Sequence, residues 1–183
     1  MQFEEGGERI KDLKLILQRV AYAASLFDDD GVNVRFMNST QEGNNVRTEP
    51  DVERLVSTVQ FKGLTPMGTS LRQKVIDPFV VQPARSGQLR KPVLIITITD
   101  GQPAGEPQGA VVEAIKYATA EVSRNPRYGK GACSFQFAQV GNDLKAREFL
   151  GKLDDDPSIG EVIDCTSSML RFPISVNSCA DIF

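Results

Sequence analysis

The sequence predicts an α/β fold in which helices cover both faces of an open, mostly parallel sheet. Apolar residues spaced alternately by three and four mark amphipathic helices, and short β-branched runs lie between them. The two kinds of segment follow one another as helix, strand, helix, helix, strand, helix, strand, helix, strand. Alternation of this kind builds parallel sheets. No internal repeat, low-complexity tract or long linker divides the chain, so residues 1–183 are expected to form one domain around a substantial core.

Ile10, Leu13, Leu17, Val20, Ala24 and Phe27 draw one apolar stripe along a helix over residues 8–27, which Asp28-Asp29-Asp30-Gly31 ends. Val32, Val34 and Phe36 alternate along a short strand over 32–37. Residues 38–50 are polar and rich in Gly and Asn, a loop with room for a brief edge strand near Val46. Pro50-Asp51 opens a helix that turns Val52, Leu55, Val56 and Val59 inward. A further helix is expected over 69–77, with Thr69 as its N-cap. Residues 78–91 then read as a connection punctuated by Pro83 and Gly87.

The run Pro92-Val93-Leu94-Ile95-Ile96-Thr97-Ile98-Thr99 is apolar and β-branched without interruption, and it stops abruptly at Asp100-Gly101. Such a run predicts a strand buried on both faces. Val111, Ala114, Ile115, Ala118 and Val122 predict a helix over 110–123. A strand over 133–140, a helix over 145–153 and a short strand over 161–165 complete the order.

Composition removes whole classes of function. The formal net charge is −3 and no basic cluster stands out, which argues against a nucleic-acid surface. Arg85 to Lys91 is the densest basic stretch and reads as a solvated loop. No apolar run approaches a membrane span, and the acidic start Met1-Gln2-Phe3-Glu4-Glu5 is not a secretory leader. Cys133, Cys165 and Cys179 are odd in number and widely spaced, as expected for idle thiols in a reducing, cytoplasmic setting. The chain has no histidine, which excludes Ser-His-Asp and Cys-His nucleophiles and His-ligated zinc. It has no GxxxxGK[ST] loop and no GxGxxG opening a helix, and Gly129-Lys130-Gly131 reads as a turn before a strand. Asp28-Asp29-Asp30 and Asp154-Asp155-Asp156 stand at predicted helix ends and read as solvated turns.

Open α/β sheets bind ligands just beyond the carboxyl ends of their strands, the position Asp100 takes. An Asp-Gly pair commonly opens an ordinary turn or caps the next helix, and taken alone that reading would prevail. A second segment, Gly63-Leu64-Thr65-Pro66-Met67-Gly68-Thr69-Ser70-Leu71, favours the first reading. With Ile96-Thr97-Ile98-Thr99-Asp100-Gly101 it resembles two parts of the metal-ion-dependent adhesion site of the von Willebrand factor A (vWA) family. Gly7-Glu8-Arg9-Ile10, Val34-Arg35-Phe36-Met37-Asn38-Ser39 and Phe137-Ala138-Gln139-Val140-Gly141-Asn142-Asp143 resemble further stretches of that family, in the same order. The resemblance implies a Rossmann-like, vWA-like fold. It also implies a Mg²⁺ site with Thr65 as the hydroxyl ligand and Asp100 as the fourth-strand aspartate. Mg²⁺ takes oxygen ligands in near-octahedral geometry, and an acidic residue of a protein partner would complete the shell. Gly63 and Gly68 would let the loop backbone approach closely.

The family's DxSxS loop occurs nowhere in the sequence, and the helix over 8–27 begins where that loop and the family's central first strand should precede it. After Met169 the sequence offers no convincing counterpart of the family's closing helix, so the C-terminus is also expected to be curtailed. The expectation is therefore a vWA-like domain truncated at the N-terminus, with its central strand absent. The neighbouring strands would then pair directly, or another segment would fill the gap. Arg171-Phe172-Pro173-Ile174-Ser175-Val176 is apolar enough for this, although Pro173 argues against a central strand. With Thr65 and Asp100 alone, one negative charge faces a divalent ion, and weak Mg²⁺ binding or none is expected. The expected function is a non-enzymatic protein–protein interaction module with an incomplete metal site. The alternatives are a Rossmann-like enzyme using Asp100 in metal-assisted phosphoryl transfer or hydrolysis, and a vWA remnant without function.

Overall fold

The structure, a computed structural model, describes residues 8–26 and 29–166. Phe27, the acidic start and the candidate segment Arg171–Val176 lie outside the described residues, as does Cys179. Among the described residues the fold is mixed α/β, with five helices and a three-stranded parallel sheet. Helix α1 spans Glu8–Ser25, and strands β1 (Val32–Arg35) and β2 (Glu42–Val46) form an antiparallel pair. Helix α2 (Glu49–Ser57) starts at Thr48, whose hydroxyl accepts from the Asp51 N–H while the Asp51 carboxylate accepts from the Thr48 N–H. This reciprocal cap, with Pro50 in the first turn, explains why the helix begins there.

Helix α3 covers 67–85 without a break. It consists of an α-helical turn Met67–Leu71, a π-helical stretch Arg72–Val81 and a last α-helical turn Gln82–Arg85. The expected connection from Pro78 onward is therefore helix. Pro78 lacks an N–H and its ring would crowd the carbonyl one turn back. Widening the spiral to the π register accommodates it, and the Gln82 N–H donates to the Asp77 carbonyl. Strand β3 (Val93–Thr99), helix α4 (Ala110–Ser123), strand β4 (Cys133–Gln139), helix α5 (Leu144–Asp154) and strand β5 (Ile163–Thr166) follow.

β3, β4 and β5 run parallel, with Val93 opposite Cys133 and Phe135 opposite Ile163. One continuous sheet is not what the described residues form, because β1–β2 and β3–β4–β5 are separate. Direct pairing of β1 with β3, one of the outcomes foreseen for an absent central strand, does not occur. The edge strand near Val46 is present as β2. A bulge between Val32 and Val34 offsets the pair's register.

The main core lies under one face of the parallel sheet. Ile95, Cys133, Phe135 and Phe137 pack there against Ile76, Val80 and Val81 of α3, Ile115 and Ala118 of α4, and Leu150 of α5. Burying each large side chain contributes about 1.5–3 kcal/mol. A smaller core joins Ala21 of α1, Val46 of β2, and Val52 and Val56 of α2. The other face of β3 is less covered: Ile96 and Ile98 are half-buried, and Leu94 is 63% exposed. Burial on both faces of β3 holds only in part.

Candidate functional site

Three loops converge beyond the carboxyl end of β3. The first leaves β1, and its Asn38 side-chain amide donates to the Leu64 carbonyl. The second carries Thr65, whose carbonyl accepts from Met67 N–H (2.8 Å) and from Ala104 N–H (2.9 Å). The third runs from Asp100 to Glu106. The Ala104 bond therefore joins the Thr65 loop to the Asp100 loop, so the structure brings together the two segments singled out in the sequence. Gly63, at φ +115°, gives the second loop a backbone conformation that other residues rarely adopt.

Two further residues build this region and were not expected. Glu106 accepts from the Gly68 N–H (2.9 Å) with one oxygen and from the Thr69 N–H (2.8 Å) with the other. It caps α3 from a distant loop and places a negative charge at the positive helix end. The expected N-cap, Thr69, instead sits inside the first turn, and Pro66 holds the cap position without a side-chain bond. Gly68 is also small for another reason than access to a ligand. A Cβ there would lie 2.4 Å from the Ala110 backbone, so the absent side chain lets α3 meet the start of α4. Lys74 fixes the exit of β1, donating to the carbonyls of Phe36 (2.7 Å), Met37 (2.9 Å) and Ser39 (3.1 Å).

Asp100 faces a cation supplied by the chain itself. The Arg9 guanidinium of α1 lies 3.3 Å from the Asp100 carboxylate, with side chains only 10% and 18% exposed. Gly141, in the loop after β4 and at φ +74°, makes room: a Cβ there would lie 2.7 Å from Arg9 Nε. The pair is thus held by α1, the end of β3 and the exit of β4. Nothing local in the sequence could have exposed it, since 91 residues separate the partners.

These residues do not fit a divalent ion as they stand. A guanidinium occupies the ground next to the one carboxylate, and repulsion between it and Mg²⁺ would add to the shortage of anionic ligands. Among the described residues no group of three or more His, Cys, Asp or Glu side chains is arranged to hold a metal. The Asp154–Asp156 cluster serves backbone: Asp154 accepts from the Cys165 N–H and Asp156 from the Ser158 N–H. The Ser158 bonds hold the Asp156 carboxyl below its ordinary range.

The two described cysteines are buried or half-buried. Burial pushes the Cys133 thiol up to about 12, and burial helped by Asp154 and Asp164 does the same for Cys165. Both are poor thiolate sources near neutral pH. The Glu106 loop also walls a cavity of about 380 Å³ together with Lys145, Phe149 and Lys152. No helix among the described residues is long and apolar enough to cross a membrane. Compared with models of known families, with curated proteins and with solved structures, the chain matches none.

Proposed function

We propose that this chain is a non-enzymatic protein–protein interaction module of the vWA type, and that it recognises its partner without a metal ion. The Arg9–Asp100 pair carries this reading. At the position where the family resemblance puts a carboxylate awaiting Mg²⁺, an arginine already answers the charge. The recognition face is the set of joined loops around Asn38, Thr65 and Asp100, backed by helix α3 and the parallel sheet. Loops held on a rigid scaffold are where binding surfaces are commonly built. The partner would meet these loops through metal-independent contacts.

The test is affinity capture from native lysate with wild type and with Thr65→Arg, each in EDTA and in Mg²⁺. The reading expects a protein retained equally in both buffers and lost with Thr65→Arg. Capture that requires Mg²⁺ overturns the metal-independent reading. Capture unaffected by Thr65→Arg overturns the choice of face.

A further inference from the structure

Helices α3 and α4 lead into two paired strands, whose first residues Val93 and Cys133 lie opposite each other. The two helix ends and the loops that follow them therefore meet at the opposite end of the sheet from the Thr65 and Asp100 loops. Both loops are cationic. Residues 85–91 carry Arg85, Arg90 and Lys91, residues 124–129 carry Arg124 and Arg127, and neither stretch contains an acid. A whole strand and a whole helix separate them in the sequence, so neither stands out there as half of a patch.

Glu121 of α4 joins the two loops from beneath. Its side chain is only 4% exposed, and its carboxylate accepts from Arg85 Nε (2.7 Å) with one oxygen and faces the Arg124 guanidinium with the other. Arg127 reaches the turn of the other loop, where a Cβ on Gly87 would stand 4.0 Å from its Nη1. Asp77 adds a weaker field at Arg85, and Arg90 is a further exposed cation. Lys91 is answered by Asp30 and does not count. Four guanidiniums thus stand against two carboxylates among the described residues. One Arg–Glu pair suffices to clamp α3 to α4, and Arg124 and Arg127 exceed that need. The Arg85 and Arg124 side chains are 57% and 72% exposed. Each guanidinium turns one edge to Glu121 and keeps the rest of its five-donor fork in water.

We infer that this surface docks an acidic segment of a protein partner. Arginine forks match carboxylates in bidentate pairs, and the buried Glu121 holds two of them in place before a partner arrives, which lowers the cost of ordering them. The cations are strung along two neighbouring loops, which suits a row of carboxylates on an extended chain better than one compact dianion. A nucleic acid would meet the same cations but also the field of a chain whose net charge is −3. The surface is separate from the loop face proposed above and does not rest on the vWA reading.

The probe is a fluorescein-labelled peptide of four glutamates alternating with serines, followed by fluorescence anisotropy. Its controls are the same peptide with glutamines for glutamates, inorganic phosphate, and a single-stranded DNA of equal charge. The glutamate peptide should bind, added salt should weaken it, and the glutamine peptide should not bind. Arg124→Gln and Arg127→Gln should each weaken binding about tenfold, and Arg127→Gln should keep the wild-type thermal midpoint. Lys145→Gln removes the same charge at the start of α5, beyond the other end of the sheet, and should leave binding unchanged. In an NMR titration the amides of Ser86, Gly87 and Arg127 should shift. The proposal is overturned if the peptide fails to bind, if its shifts fall elsewhere, or if Lys145→Gln weakens it as much as the arginine variants do. It is also overturned if phosphate at equal charge displaces the peptide completely, which would assign the surface to a free anion, or if the DNA binds more tightly, which would assign it to nucleic acid.

Discussion

Arg9 and Asp100 meet at 3.3 Å across 91 residues of chain, and their contact fixes the first turn of α1 against the end of β3. Arginine near a helix start is disfavoured by the helix dipole. Its position there, largely buried, is therefore explained by the carboxylate it faces. Removing either partner takes away a charge-assisted contact in a largely buried setting. Arg9→Ala and Asp100→Ala should each destabilise the fold by about 2 kcal/mol, read by urea unfolding. The double variant should cost clearly less than the two single losses added. Strict additivity would show that the pair does not interact.

Gly68 is expected to tolerate no side chain. A Cβ there would stand 2.4 Å from the Ala110 carbonyl carbon and 2.5 Å from the Val111 nitrogen, both backbone atoms that cannot swing aside. Gly68→Ala should cost about 3 kcal/mol, the upper range for overpacking. A thermal midpoint unchanged from wild type would mean that α3 and α4 are not packed as closely as described.

Glu106 joins the loop after β3 to the start of α3 through two backbone N–H groups. Glu106→Ala removes both acceptors and should cost about 1–2 kcal/mol, as for loss of a helix cap. Glu106→Gln keeps one acceptor oxygen and should lose less. The comparison by chemical denaturation checks the geometry: equal losses would argue against a two-oxygen cap.

Glu121 gives the fold an acid-sensitive link. The Arg85 guanidinium bonds its carboxylate at 2.7 Å, with Arg124 close by, and holds its pKa below the ordinary 4.5. A carboxyl whose pKa is lower in the folded state stabilises above its unfolded pKa and loses that contribution as pH falls through its folded one. Wild type should therefore lose more stability than Glu121→Gln on going from pH 5 toward pH 3. Parallel stability profiles for the two proteins would contradict the assignment.

Local chemistry made most elements legible. The span Ala110–Ser123 follows directly from the spacing of Val111, Ala114, Ile115, Ala118 and Val122, and the β-branched run preceding Asp100 becomes β3. The errors occur where a distant partner or a register change decides. Pro78 suggests a stop, but a π-helical stretch carries the chain past it. Thr69 looks like a cap because Glu106, which does the capping, lies 37 residues further along. The Thr65 and Asp100 segments could be picked out, and the Ala104–Thr65 bond joins their loops. Arg9, which changes what Asp100 can bind, stood out only as part of a helix opening. A single sheet was expected, but β1–β2 pair locally and leave β3 to the parallel set.

Titration of the chain with Mg²⁺ by calorimetry tests the central claim most directly. With Arg9 answering Asp100, no saturable binding is expected at physiological Mg²⁺, and Asp100→Ala should leave the heats unchanged. Micromolar Mg²⁺ affinity that Asp100→Ala abolishes would contradict the account and return Asp100 to the metal.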